Sequence, residues 1–156
     1  MTQTAVALSV DARTAIADAL NQSVAETAVT TMLAQNFHWN VTGMAFGPLH
    51  DLFQKIYEDH FIAQDDLAER IRAIDVPAEG TLAGMLKRSK VKEHEGSATY
   101  KQMIKSMQEA QETLASTLAG AGALAAEHGD TLTEDLCIAR GQTHEKFAWF
   151  LRSHLA

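Results

Sequence analysis

His38, His50, Asp65 and Glu69 are the residues of the first half of the chain whose types and spacing suit metal chemistry. Asp65 and Glu69 are four apart, so one helical turn puts both carboxylates on the same face. His50 lies fifteen residues before Asp65, a rise of ~22 Å if one straight helix carries both. Metal–ligand bonds are ~2 Å long, so a single subunit cannot close this set around one ion. Two copies packed antiparallel can. The spacing therefore predicts a site built between two subunits. Imidazole and carboxylate donors suit iron, zinc or manganese, and the lack of thiolates argues against a structural zinc cage. Bundles that hold two metal ions inside one chain use Glu-x-x-His motifs. No histidine here has Glu or Asp three residues before it, which disfavours an intrachain centre.

The elements that must position these residues read as helices. Ser9 or Asp11 can cap a first helix running to about Asn40, with Ile16, Leu20, Val24, Ala28, Leu33 and Phe37 at helical spacing. Gly43 and Gly47-Pro48 break the chain, and Pro48 suits the first turn of a second helix reaching about Ile74. His50, Gln54, Asp65 and Glu69 fall on the flank of its apolar face, and Phe61 and Ile62 share that flank, so a partner surface is expected to cover it. Thr81–Lys87 makes one or two helical turns in a connection weakened by Pro77 and Gly80. Ser97 is placed as the cap of a third long helix ending near Gly129, and Thr131-Leu-Thr-Glu134 as a capping box for a fourth. The fold class is all-α: a four-helix bundle with a short extra helix in the crossover between the second and third helices. One domain spans 1–156, with 1–8 as a short N-terminal tail.

Composition agrees. The 156 residues are 46% hydrophobic with two prolines and a net charge of −7, which disfavours nonspecific attraction to nucleic acid or anionic lipid and suits cation collection. The single cysteine, Cys137, can form no internal disulfide and fits a reducing cytoplasm. No apolar run approaches the ~20 residues of a membrane span, and the first residues lack the pattern of a signal peptide. Five histidines, His60, His94, His128, His144 and His154, read as surface or internally satisfied polar residues. Trp149 reads as core, and the six methionines as gap-filling residues.

The run His38-Trp-Asn-Val-Thr-Gly-Met-Ala-Phe-Gly-Pro-Leu-His50, with Phe53, Tyr57 and Asp65-Asp-Leu-Ala-Glu-Arg70, resembles the Dps family of ferritin-like mini-ferritins. So do Asp130-x-x-Thr133-x-Asp135-Leu136 and Lys146-Phe-Ala-Trp149, so the likeness covers nearly the whole chain. The resemblance implies a ferritin-like bundle in a hollow shell of twelve identical subunits. Such shells oxidise ferrous iron, typically with hydrogen peroxide, and store the ferric product, protecting against oxidative damage. Iron would be held by His38 and His50 of one subunit and Asp65 and Glu69 of its neighbour, the four catalytic residues. Trp39 suits interface packing, and the resemblance makes it a candidate electron donor against stray radicals. Glu127, Asp130, Glu134 and Asp135 are either helix-terminal charges or, in the family, the border of a threefold pore.

One departure matters. The family often has aspartate four residues after the second histidine, where this chain has Gln54. A neutral amide is a poorer iron ligand than a carboxylate; Gln54 either binds a second iron weakly or only positions a water. Asp51 and Glu58 stand nearby, and the spacing selects neither. Two further classes of function compete with the ferroxidase: a nucleoid-associated, DNA-binding shell with a weak or vestigial metal site, and a non-catalytic metal-binding scaffold. DNA binding is not expected from the tail, because residues 1–10 hold no Lys or Arg. The basic cluster Lys87, Arg88, Lys90 and Lys92 is followed at once by Glu93 and Glu95.

Overall fold

Ser9 accepts a hydrogen bond from the Ala12 amide and opens the first helix, α1 (Val10–Asn40). In the computed structural model, which describes residues 7–156, four more helices follow: α2 (Phe46–Ala73), α3 (Leu82–Arg88), α4 (Tyr100–Glu127) and α5 (Thr131–Ser153). No strand occurs among the described residues. None of these helices is long and apolar enough to cross a membrane. Residues 1–6 of the expected tail lie outside the described residues; Leu8, the last of the tail, is buried in the core.

Short connections fold α1 against α2 and α4 against α5, while α1 also packs on α4 and carries α3 along its side. The result is the expected four-helix bundle with a short crossover helix. Arg88, at the end of α3, fastens the crossover to α1 through Asp18 at 2.9 Å and also binds Glu79 at 2.7 Å. The helix starts differ in detail from the sequence reading. For α2 the reading holds: the helix begins at Phe46 and Pro48 falls within its first turn, where its missing N–H costs nothing. Thr99, not Ser97, caps α4, in a reciprocal capping box with Gln102. Asp130, not Thr131, caps α5, its carboxylate accepting the Thr133 amide.

The core divides into two apolar clusters. One gathers Phe37, Leu49, Phe53, Ile56, Met107 and Leu151; the other gathers Ile16, Leu20, Leu67, Ile71, Leu118 and Cys137. Between them in the order of each helix lie buried or half-buried polar residues: Asp59 and His60 on α2, Gln111 on α4, Arg140 and His144 on α5. Trp149, expected in the core, is 54% exposed. It follows Ala148, which does face the core, by the ~100° of one helical residue, and its ring rests on Phe150 instead.

Candidate metal centre

His38 ends α1 and His50 begins α2, so the reversal between these helices decides whether the two meet. Gly43 makes that reversal at φ +100°, a conformation that a side chain strongly disfavours. The Phe46 amide closes the turn on the Gly43 carbonyl at 3.1 Å. The two imidazoles then stack, with ring centroids 3.7 Å apart and planes inclined by 18°. Each Nδ1 reaches the other residue's backbone carbonyl: His38 to His50 at 2.8 Å and His50 to His38 at 2.7 Å. A carbonyl only accepts, so both Nδ1 atoms carry a proton, and in the neutral imidazole each Nε2 is then the nitrogen with the lone pair. Metal-ligating imidazoles are commonly oriented in this way, by a carbonyl behind the ring. Phe46 stacks on His50 at 5.1 Å, and Tyr57 meets His38 edge-on at 5.3 Å. Both aromatic residues belong to the segments that carry the resemblance, but the sequence assigned neither a place beside a histidine; Phe46 lies one helical turn before His50.

The carboxylate half lies towards the other end of α2. Asp65 and Glu69 are exposed, one turn apart. Phe61 and Ile62, about one helical turn before Asp65, are 72% and 63% exposed, an apolar patch next to charge. Asp65 lies on the wall of a surface concavity with Val24, Phe61, Ile62, Ala78 and Met85. The adjacent Arg70 does not neutralise them. Its Nη2 donates to Asp130 and its Nε to Thr133, both at 2.8 Å, tying α2 to the start of α5. Asp130 is fully buried in this pairing, so of the four acidic residues considered for a pore border it belongs to the interior.

The fold thus brings His38 to His50 and keeps Asp65 beside Glu69, but it does not bring the halves together. Among the described residues, no group of three or more His, Cys, Asp or Glu side chains lies close enough to hold an ion. Gln54 stands one turn after His50 and donates from Nε2 to Glu58 Oε1 at 2.7 Å.

The mid-bundle polar residues form a second histidine pair of opposite character. His60 Nδ1 donates to Asp59 at 3.0 Å, and its Nε2 lies 3.0 Å from the Gln111 amide nitrogen, which donates to it. Gln111 Oε1 accepts from His144 Nδ1 at 2.7 Å, and Arg140 Nη2 lies 3.4 Å from His144 Nε2. Arg140 closes the ring on Asp59 at 2.7 Å. Burial pushes both imidazoles down, His144 to about 2, where the charge of Arg140 adds to the effect. Burial alone would raise the Asp59 carboxyl, but hydrogen bonds from His60 and Arg140 overcome it and hold Asp59 well below the usual carboxylate range. These histidines are neutral with every ring nitrogen engaged.

Against known proteins the agreement runs the length of the fold. The family model for the ferritin-like domain matches residues 17–156. General stress protein 20U of Bacillus subtilis (strain 168) is 35% identical over 137 residues, covering 88% of this chain and 94% of that protein. The crystal structure of Dps from Staphylococcus aureus superposes with a TM-score of 0.88 at 33% identity, over 90% of this chain and 95% of the other. The Dps protein from Vibrio cholerae O1, described as a member of a broad superfamily of ferritin-like diiron-carboxylate proteins, reaches a TM-score of 0.92 at 29% identity. It covers all of this chain, and the match spans 98% of that one. With the bundle, the short crossover helix and the paired terminal histidines in place, this chain belongs to the Dps family of ferritin-like proteins.

Proposed function

We propose that this chain is a ferroxidase and iron-storage subunit that acts only in an assembly. In that assembly, a shell of twelve copies, His38 and His50 of one subunit and Asp65 and Glu69 of its neighbour take up ferrous iron. Hydrogen peroxide is the oxidant: two ferrous ions each give one electron, the O–O bond breaks, two protons are taken up and two waters form. Paired use of the electrons limits release of hydroxyl radical, and the ferric product accumulates inside the shell. Family membership supports iron storage and protection in general. The observation that carries the site is the doubly locked histidine pair, with both Nδ1 atoms held by carbonyls and, among the described residues, no third ligand within reach. The exposed Phe61–Ile62 patch beside the two carboxylates supports a second copy as the missing half. One ferritin-like domain over 1–156 and a cytoplasmic setting belong to the same reading.

The test is complementation. One variant carries His38→Ala with His50→Ala, the other Asp65→Ala with Glu69→Ala, and each alone should be inactive. Dissociated, mixed equally and reassembled, half the twofold interfaces are mixed, and each mixed interface holds one intact site. About a quarter of the wild-type rate should return for such an isologous interface. A site within one chain recovers nothing, because no chain in the mixture has all four residues; zero recovery in intact mixed shells overturns the proposal. Light scattering should place the assembly at ~204 kDa, twelve times the 17.0 kDa chain.

A further inference from the structure

We infer that Arg72 of one copy docks on the Phe46 ring of the next, fixing the register in which two copies of α2 meet and keeping its own charge off Glu69. The inference rests on the shared-site reading above. Where His50 meets Asp65 and Glu69 of a second, antiparallel α2, each step forward along one helix is a step back along the other. Arg72 lies three residues beyond Glu69 and seven beyond Asp65, and Phe46 lies four before His50, so the two come level. Rotation agrees. About the helix axis, Phe46 and Arg72 are roughly 80° apart, between the roughly 60° and 100° that separate His50 from Asp65 and Glu69. A packing that brings the ligands together therefore brings this pair together as well.

The chemistry of both residues suits the contact. Phe46, the first residue of α2, stacks on His50 and is still 47% exposed. Arg72, in the last turn of α2, is exposed and forms no ion pair among the described residues. A guanidinium lies flat on an aromatic ring and is attracted by its π face. Without that ring, Arg72 has a nearer anion: Glu69 stands three residues back, a spacing at which opposite charges pair along a helix. Such a pair would compete with the ion for the Glu69 carboxylate. Docking on Phe46 of the neighbouring copy leaves Glu69 free. Arg72 is in this sense a positioning residue, outside the ligand set and effective only when a second copy is in place.

Cysteine pairs read the register in the assembled protein. Phe46 and Arg72 are ~39 Å apart along a single α2, beyond the span of a short bismaleimide, so crosslinking of Phe46→Cys with Arg72→Cys must join two copies. The native Cys137 is buried, and burial pushes its thiol up to about 11, so it stays silent. The double variant should give far more covalent dimer on a denaturing gel than either single variant. His50→Cys with Asp65→Cys, treated alike, reports the shared site itself. Dimers from that reference without dimers from the 46–72 pair overturn this inference alone; dimers from neither overturn the shared site and this inference with it. Zn2+, which carries the ferrous charge without redox chemistry, tests the second role by calorimetric titration. Phe46→Leu, which keeps apolar bulk without a ring, should bind Zn2+ about two- to threefold more weakly than the wild type. Adding Arg72→Ala should restore the wild-type affinity. Weakening that persists in that double variant would mean that Phe46 acts through His50 alone, and overturns the role given to Arg72.

Discussion

Two pairs of histidines in this chain differ in the fate of one nitrogen each. In the surface pair, His38 and His50, backbone carbonyls take both Nδ1 protons and leave both Nε2 atoms open. In the buried pair, His60 and His144, the second nitrogen is spent on Gln111 or Arg140. Residue type does not distinguish them; the neighbour on the far side of the ring does. A backbone carbonyl at a helix end orients an imidazole without competing for its lone pair. A side-chain amide or guanidinium inside a core must itself be satisfied, and it consumes the lone pair in return.

The sharpest way to break this contrast is to remove the open pair. His38→Ala with His50→Ala should lower ferrous oxidation by about a thousandfold or more, about 4 kcal/mol of barrier, with far-UV circular dichroism unchanged. Stopped-flow rates near those of the wild type would mean that the surface pair is not the site. The closed pair should answer in stability instead. Arg140→Met leaves the Asp59 carboxylate without its cation and should cost about 3 kcal/mol in chemical denaturation, the low end for a broken buried pair, because Asp59 keeps the His60 bond and is partly open to solvent. The rate per intact shell should stay within about twofold of the wild type; a collapse of the rate would show that the closed pair also serves the chemistry.

Acid gives a gentler probe. His60 and His144 are held neutral in the fold, with native values below the 6.5 of the free side chain. The unfolded chain therefore binds more protons as pH falls below that value. Stability contributed by the neutral form is fully present above pH ~6.5 and should decline by about 2.7 kcal/mol per pH unit while both stay neutral in the fold. Asp59, held below its usual range, adds to the loss only once pH passes below its unfolded value near 3.9. In denaturation followed between pH 7 and 4.5, His144→Gln should halve the slope; an unchanged slope would point to other groups. Smallest of all, Gly43→Ala should cost about 1–2 kcal/mol from its positive φ, and should weaken Zn2+ binding more than it lowers the melting midpoint if the turn sets the His38–His50 stack.

Much of this was legible in the sequence, and the failures have a common cause. Helical periodicity located the four long helices, because burial of one face recurs every three to four residues. Helix starts were less legible where several candidates compete: Ser97 and Thr99 both suit a cap, and Gln102 decides between them by answering Thr99. The four candidate site residues could be named because they sit on one helix and the end of the one before it. The His60–Gln111–His144–Arg140–Asp59 ring could not, since the contacts that join its three helices span 33 to 81 residues. Nothing local to any one helix announces the partners on the other two. Trp149 shows the same limit from the other side, one residue of register deciding between core and surface.

The distance along α2 between His50 and the two acids has a further consequence under the shared-site reading. A newly made chain carries half of two centres and the whole of none, so it is chemically silent until it meets a copy of itself. Ferrous iron then cannot be turned over by stray monomers in open solution, where ferric product would precipitate unconfined. Onset of activity should rise with the square of chain concentration at the dilute limit, which ties the reaction to the pairing of copies from which the shell is built.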